Sequence, residues 1–424
     1  MKSSYQKSVL PGGLCVVSER VPHVRSVSIG VWIRAGSRDE SPASNGIFHF
    51  LEHMLFKGSR RRSARQVAES LESVGGSLNG FTSREQTCYQ ARILDEHIPL
   101  ALDVLSDLVL YPRLDPAELE REKQVVADEI RDLLDTPADY VDERLASLVW
   151  RDTPLGRPIS GTLKTVSGFT PRQLRYRLRR WYRPEKMVVA AAGNLQHDRF
   201  TDAVMRFFRF NPGDPASPRR GSRYCTSGRV EVLPRKGLQL HLCVGAPAYS
   251  YGHPNKYALL LLNTILGEGM SSRLFQNLRE RQGIAYTVHS FLGMASDTGL
   301  IGCYLATEPA KAGRAFDGIM RELDDLRQNG LRKEELDNGK AQLKGHLMLG
   351  LESMSARMIR LAQQEIHLGQ SVSLDDTLAR IEAVDSDAVM QAAGELLRRD
   401  RLSLAIIGPV RKNQFRRSDL LDRR

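Results

Sequence analysis

The chain has 424 residues, more than one ordinary domain holds, and its hydrophobic fraction of 41% is typical of a globular protein. No apolar run reaches the ~18 residues that a membrane-spanning helix needs, and the five scattered cysteines, without a Cys-x-x-Cys pair, argue against a disulfide framework or a thiolate zinc site. The net charge of +11 is spread over short clusters with no recognised nucleic-acid module, so we expect neither nucleic acid nor a membrane as a partner.

The N-terminus is polar, and a strand is already under way at Leu14, which leaves no room for a signal peptide or a long transit sequence. We therefore expect a cytoplasmic protein of bacterial origin. The first strands are predicted at Gly13–Val21 and Val27–Ala35, the second because apolar residues alternate along it.

Residues 47–56 form an apolar run that is typical of a buried helix. Three ionisable groups, His49, Glu52 and His53, nevertheless lie within it, and burying them is costly unless a partner compensates. On a helix the two histidines share one face, where they can bind one zinc ion while the neighbouring carboxylate takes a proton from water. The pattern His-x-x-Glu-His is the inverted form of a metalloprotease motif. By itself it also fits a core helix whose polar groups pair with other protein groups.

Further elements of the first half follow from periodicity and from turn and cap signals. Helices are predicted at Ala64–Val74, Ile98–Leu110, Pro116–Leu134 and near Pro171–Trp181, and strands at Ser77–Arg84, Thr87–Leu94 and Met187–Ala192. The long helix at Pro116–Leu134 begins with an N-cap at Asp115 and with Pro116 in the first helical position.

A third metal ligand is predicted on that long helix. Its apolar stripe includes Leu119 and Val126, and Glu122 and Glu129 fall on the same stripe at alternating steps of three and four. Two carboxylates seven residues apart on an inward stripe need a buried partner. A metal fits, with one carboxylate binding the ion and the other orienting a histidine. A buried salt bridge to Arg or Lys is the alternative.

A segment rich in Pro, Gly, Ser and Arg, at about 211–228, predicts a linker, after which the pattern of elements starts again. Strands are predicted at Arg229–Leu233, Leu238–Gly245 and Leu402–Ile407, and helices at Tyr257–Leu266 and at about Lys333–Leu349. The short match of Leu105–Leu108 with Leu323–Leu326, at an offset of 218, indicates two related halves.

The second half lacks a His-x-x-Glu-His pattern, and the offset aligns Glu129 with Leu347. We therefore predict a metal-binding domain at 1–210, the linker at 211–228, and a similar domain without a metal site at 229–424.

The run His-Phe-Leu-Glu-His-Met-Leu-Phe-Lys-Gly from His49 to Gly58, with Glu129 placed 76 residues after His53, resembles the pitrilysin/insulinase family of inverted zinc peptidases. Within that family the chain is most similar to the mitochondrial processing peptidase β subunit and its bacterial relatives. Segments 79–86, 266–275 and 279–286 extend the resemblance over essentially the whole chain. It implies an α+β fold of two similar domains, each a mainly antiparallel sheet packed with helices, together forming half of a clamshell.

The resemblance also assigns roles. It implies Zn²⁺ bound by His49, His53 and Glu129, with Glu52 as the catalytic base and Glu122 as a supporting carboxylate. Arg279 and Tyr286 are implied to bind the substrate backbone and to stabilise the oxyanion.

Ser77–Arg84 is predicted to be an edge strand along which an extended peptide binds, with Asn79 and Phe81 as substrate contacts, and an ordinary hairpin strand is the alternative. Two departures from the family pattern stand out. The loop at Gly267–Gly269 is less glycine-rich than in the mitochondrial α subunit, and Asn79 is followed by Gly80-Phe81 where alanine and tyrosine are commoner.

The sequence thus predicts a zinc-dependent endopeptidase that cleaves extended peptides or unfolded segments. It carries both the metal residues and the substrate residues, so we expect a homodimer with shared active sites. The alternative is a catalytically silent structural or assembly subunit of the same fold. The intact His49, Glu52, His53 and Glu129 argue against that alternative.

Overall fold

A computed structural model describes residues 4–210 and 228–421; the predicted linker lies outside the described residues except for Gly228. The chain divides into two compact units. The first contains the described residues up to Ile130, those from Arg157 to the gap, and Leu349–Ser373, and the second contains the remainder. Each half of the sequence therefore contributes one segment to the other unit, an exchange that the predicted division into 1–210 and 229–424 does not include.

The strands form two sheets, one in each unit. The strands are β1 (Ser4–Val9), β2 (Cys15–Arg20), β3 (Ser26–Ile33), β4 (Ser77–Thr82), β5 (Thr87–Leu94), β6 (Met187–Gly193), β7 (Val230–Pro234), β8 (Leu240–Ala248), β9 (Ala285–Met294), β10 (Gly299–Thr307) and β11 (Ser403–Gly408). The first sheet has the order β1-β2-β6-β3-β5-β4 and the second β7-β11-β8-β10-β9. Within each sheet one pair, β2 with β6 and β7 with β11, is parallel and the others are antiparallel.

Helices cover the sheets. They are α1 (Ile47–Phe56), α2 (Ala64–Glu72), α3 (Ile98–Leu110), α4 (Pro116–Asp135), α5 (Pro137–Val149), α6 (Leu163–Ser167), α7 (Pro171–Trp181), α8 (His197–Phe207), α9 (Lys256–Gly267), α10 (Ala312–Gln328), α11 (Lys333–Gly350), α12 (Met354–Leu368), α13 (Leu374–Glu382), α14 (Ser386–Leu396) and α15 (Arg417–Leu421). The predicted α+β class with mainly antiparallel sheets is confirmed. None of the described helices is long and apolar enough to cross a membrane.

In the first unit, α12 packs against the face of the sheet that carries Trp32. The indole Nε1 of Trp32 lies 3.4 Å from Met358 Sδ, and the hydroxyls of Ser28 and Ser355 are 2.9 Å apart. Trp32 and Met358 are fully buried in one apolar cluster. This burial of apolar surface holds a segment from late in the chain on a sheet built from its beginning.

In the second unit, α5 packs against the second sheet in the same manner. Val141 and Leu145 of α5 are fully buried in a cluster with Cys243 of β8 and Tyr304 of β10. The segment Phe275–Arg281 of this unit is a π-helix, a geometry that is uncommon and is found frequently at functional sites.

Helix α1 lies in the first unit and is buried on most of its circumference. Phe48 packs edge-on against Trp181 of α7 with ring centroids 5.9 Å apart, and Phe50 packs against Phe169 at 5.3 Å. Leu51 and Met54 are also fully buried. Such contacts between aromatic and aliphatic side chains fix both the position and the rotation of the helix, and hence the direction of its polar residues.

Candidate metal centre

Helices α1 and α4 bring His49, His53 and Glu129 together. One ligand atom from each of the three lies within 4.8 Å of the other two. Oε2 of Glu129 is 3.9 Å from Nε2 of His49 and 3.6 Å from Nε2 of His53. Among residues 4–210 and 228–421 no other His, Cys, Asp or Glu cluster meets the same criterion. The structure therefore joins the three predicted ligands, two from one helix and one from another.

The donor set suits a zinc ion. Two imidazole nitrogens and one carboxylate oxygen form the usual protein ligand set of a catalytic zinc site, which leaves a fourth position open. In a tetrahedral site, ligand atoms about 2.05 Å from the ion are about 3.3 Å from one another, and the distances of 3.6 and 3.9 Å from Glu129 Oε2 to the two imidazoles are somewhat longer than this. The distances from Glu129 Oε2 to the Nε2 atoms of His49 and His53 are too long for hydrogen bonds, so Glu129 is not a hydrogen-bond partner of either imidazole.

The surroundings of His49 support this assignment. Its Nδ1 is buried and has no hydrogen-bond partner in the described part of the chain. Burial, followed by the neighbouring His53, lowers the pKa of His49 to about 4. The ring is therefore neutral at neutral pH, which is the form that binds a metal.

Glu122 orients His53. One carboxylate oxygen, Oε1, lies 2.8 Å from His53 Nδ1, and the other, Oε2, lies 2.7 Å from Nζ of Lys57. The Nδ1–H of His53 donates to Glu122, so Nε2, the nitrogen on the side of Glu129, is left without a proton and could bind a metal. Burial raises the pKa of Glu122, but the hydrogen bonds from His53 and Lys57 outweigh it, and the pKa lies below its usual value. Lys57 was not identified from the sequence.

The two carboxylates of α4 differ in exposure. The side chain of Glu122 is 3% exposed, whereas that of Glu129 is 44% exposed. The expectation that both are buried is thus right for Glu122 and wrong for Glu129. The reason is that the stripe is not buried along its whole length, so the carboxylate of Glu129 is reached by solvent.

Glu52 lies beside this cluster and is 7% exposed. Thr82 of β4 donates a hydrogen bond of 2.7 Å from Oγ1 to Oε2 of Glu52. Burial raises the pKa of Glu52, against the opposing effects of Thr82 and His53. A Cβ at Gly80 would lie 3.1 Å from Oε1 of Glu52 and 2.9 Å from the ring of Phe56, so this strand passes close to the carboxylate. Thr82 is a second residue that the sequence did not reveal.

The pKa of His53 is raised, whereas that of His49 is lowered. Burial lowers it, but the hydrogen bond to Glu122 and the nearby Glu129 and Glu52 together raise it above its usual value. A carboxylate-rich environment of this kind also favours a bound cation over an empty cluster.

Strand β4 is the edge of the first sheet and pairs only with β5 in the described residues. Gly80 and Thr82 face Glu52, so the alternating Asn79 and Phe81 point to the other side. Asn79 is exposed and its Oδ1 accepts from its neighbour's N–H, and the ring of Phe81 packs edge-on against Trp32 at 5.4 Å. Phe81 therefore contributes to the core with its side chain, and its predicted substrate role stays a prediction.

Arg279 and Tyr286 belong to the second unit. The guanidinium carbon of Arg279 lies 4.8 Å from the ring centre of Phe275 and 5.8 Å from that of Tyr286. Tyr286 is the second residue of the edge strand β9 and is 71% exposed. The two predicted substrate residues therefore lie together on one surface of their own unit.

Fold and site together define a two-unit α+β protein with a His-His-Glu cluster that could hold a metal ion. A family model described as insulinase (peptidase family M16) matches residues 15–163, and one described as peptidase M16 inactive domain matches residues 168–343. A protein of Streptomyces coelicolor, named an uncharacterized zinc protease, is 40% identical. The match covers 97% of this chain and 91% of the Streptomyces protein. The uncharacterized zinc protease YmxG of Bacillus subtilis is also 40% identical, with 94% and 96% covered.

The chain belongs to the insulinase (M16) family of peptidases, which confirms the resemblance drawn from its motifs. Two solved structures share its fold with a TM-score of 0.90 each. One is a protease from Helicobacter pylori, which is 22% identical; the match covers 96% of this chain and 99% of the chain in that structure. The other, a peptidase M16 inactive domain from Pseudomonas fluorescens, is 19% identical and covers 96% and 98%.

Proposed function

We propose that the protein is a zinc-dependent endopeptidase that cleaves extended peptides or unfolded polypeptide segments. The observation that carries the proposal is the convergence of His49, His53 and Glu129, with the buried carboxylate of Glu52 beside them. The bacterial relatives at 40% identity are named zinc proteases, which supports both the metal and the reaction class.

The residues of this chain have separate tasks. His49, His53 and Glu129 hold the zinc ion, which supplies Lewis acidity for the attack of water on a peptide carbonyl. Glu52 accepts the proton of the attacking water and delivers it to the leaving amine. The hydrogen bond from Thr82 holds Glu52 Oε2, so the other oxygen remains free to take part in proton transfer.

The substrate binds as an added strand along β4 in this proposal. The strand is at the edge of its sheet and has N–H and C=O groups available along one side, the arrangement that β-augmentation uses. Gly80, without a side chain, lets this strand pass close to the carboxylate of Glu52. A folded globular substrate does not offer a free extended segment, so we infer a preference for peptides and unfolded chains.

We further propose that the active unit is a homodimer with shared sites. Arg279 and Tyr286 of one copy complete the site that contains Glu52 of the other, where they bind the substrate backbone and stabilise the oxyanion. The chain carries both sets of residues, so two identical copies suffice. The packing of Arg279 beside the exposed Tyr286 supports a joint role for the pair.

A peptide library tests the proposal directly. The purified protein is loaded with zinc, its metal content is measured, and library cleavage is read by mass spectrometry with and without a chelator. We expect one zinc per chain and cleavage that stops on chelation and returns with zinc. A protein that binds zinc but cuts no peptide would support the silent subunit instead.

A further inference from the structure

The N-terminus of α1 is capped by a residue from outside the helix. The residue at the cap position is Gly46, which has no side chain and adopts φ +92. The first N–H groups of a helix lack partners within it, and a side-chain oxygen of the capping residue usually accepts from one of them. In this helix that oxygen must come from elsewhere in the chain.

Glu40 provides it. Its Oε2 accepts from the N–H of Gly46 at 2.7 Å, and its Oε1 accepts from the N–H of Phe48 at 2.9 Å. The side-chain amide of Asn45 donates to the same Oε2 at 2.9 Å. Glu40 is 5% exposed. A buried carboxylate that accepts three hydrogen bonds at a helix N-terminus is favourably placed with respect to the helix dipole as well.

The cap is itself fixed by its surroundings. Asn45 also donates to the carbonyl oxygen of Pro158 at 2.8 Å, and a guanidinium nitrogen of Arg157 donates to the carbonyl oxygen of Glu40. Gly46 permits this close packing, since a Cβ there would lie 2.5 Å from the carbonyl oxygen of Ser160. These contacts restrain the backbone at the start of α1.

We propose that Glu40 is a positioning residue for the metal centre, which acts by fixing the first turn of α1 and hence His49. This inference rests on the proposed function. His49 directly follows Phe48, whose N–H Glu40 holds, and the end turn of a helix frays when its cap is lost. His53, one turn further on, has its own support from Glu122.

The test measures zinc affinity by competition with a chelating dye. The variant is Glu40→Gln. Its side-chain NH₂ group replaces one carboxylate oxygen and faces a backbone N–H, so that N–H loses its acceptor. Burial, opposed by the hydrogen bonds, raises the pKa of Glu40 to about 7, so the measurement is made at alkaline pH, about pH 8.5, where the carboxylate is ionised. We expect the Kd for zinc to rise about tenfold.

Ser63→Ala is the matched control. Ser63 caps α2 by accepting from the N–H of Gln66 at 3.3 Å, and α2 carries none of the predicted metal ligands. Ser63→Ala also removes a helix cap, but we expect the zinc Kd of this variant to equal that of the wild type. If Glu40→Gln fails to fold, Asn45→Ala replaces it, since it removes one of the three donors to Glu40; we expect a rise of about threefold.

A double-mutant cycle with His49→Ala separates positioning from a general loss of structure. If Glu40 acts through His49, Glu40→Gln should change the zinc Kd by less than about twofold in the His49→Ala background. An equal loss in both backgrounds, or an unchanged Kd in folded Glu40→Gln, would overturn the inference. Absence of zinc binding by the wild type would instead contradict the proposed function.

Discussion

Thr82 Oγ1 lies 2.7 Å from Glu52 Oε2, so a hydroxyl on the edge strand holds the carboxylate that we propose as the catalytic base. Thr82→Val keeps the shape of the side chain and removes the hydrogen bond. A hydrogen bond to a buried charged group contributes about 1.5–3 kcal/mol, so we expect kcat/KM to fall roughly tenfold to a hundredfold. Zinc content should be unchanged, because Thr82 does not contact the ligands.

Thr82→Ser is the control for this change. It restores the hydroxyl without the methyl group, and should recover most of the activity. Equal losses in the Ser and Val variants would mean that packing, not the hydrogen bond, explains the effect.

Substitutions at Glu122 and at its partner Lys57 should weaken zinc binding to different extents. Glu122→Gln weakens the acceptor for His53 Nδ1–H, and loss of such an orienting partner typically costs 10–100-fold in metal affinity. Lys57→Met removes only the second partner of Glu122, so the zinc Kd should rise by a smaller factor. The exposed Glu120 lies on the same helix, and Glu120→Gln serves as the control. A zinc Kd for Glu122→Gln equal to that of Glu120→Gln would contradict the assigned role.

The second unit should lose stability in acid through Glu335. Burial alone would raise the pKa of Glu335. Hydrogen bonds from Arg273 and Arg332 have the larger effect, and together these influences lower the pKa from an ordinary 4.5 to about 2. A depressed acid stabilises the fold above its unfolded pKa, so this contribution is present at neutral pH and is lost as pH falls from about 4.5 towards 2. After allowance for solvent screening it amounts to about 1–2 kcal/mol.

Thermal unfolding of Glu335→Gln tests this pH dependence. The wild type should have the higher Tm at neutral pH, and the difference should shrink as pH is lowered to about 3. Glu334→Gln, at the exposed neighbouring position, controls for the loss of one negative charge. A Tm difference that is constant over this range would show that Glu335 acts through something other than its charge.

Mixed dimers test the shared site. Glu52→Gln lacks the base, and the double variant Arg279→Ala/Tyr286→Phe lacks the proposed substrate groups, so each is expected to be inactive alone. After subunit exchange, a mixed dimer contains one site with wild-type residues on both sides. Random pairing of equal amounts should restore about a quarter of wild-type activity. Verified exchange by mass without any return of activity would exclude sites shared between copies.

Much of the fold follows from local patterns. The helix predicted at 47–56 and the strand predicted at Thr87–Leu94 have the bounds found for α1 and β5, since apolar periodicity and turn signals mark both ends. Strand β1 was not predicted, because a polar edge strand lacks the alternation that identifies a half-buried one.

The exchange of α5 and α12 between the units has no local signal at all. Contacts such as that between Trp32 and Met358 join residues far apart in sequence, and periodicity describes only one element at a time.

The ionisable residues of α1 stand out in the sequence for a different reason. Ionisable residues in an apolar run are costly to bury, so His49, Glu52 and His53 are conspicuous in the sequence. Their support is less conspicuous. Lys57 and Thr82 are ordinary residue types in ordinary positions, and only the three-dimensional structure reveals that each holds a carboxylate of the site.

The most direct test of the account compares Glu52→Gln with the wild type in metal content and in turnover of an unfolded polypeptide. Glu52 is proposed as a base and not as a ligand. We therefore expect one zinc per chain in both proteins and a fall in kcat of about 10²–10⁴-fold in the variant. Wild-type turnover by zinc-loaded Glu52→Gln would contradict the account, as would a variant that loses its zinc.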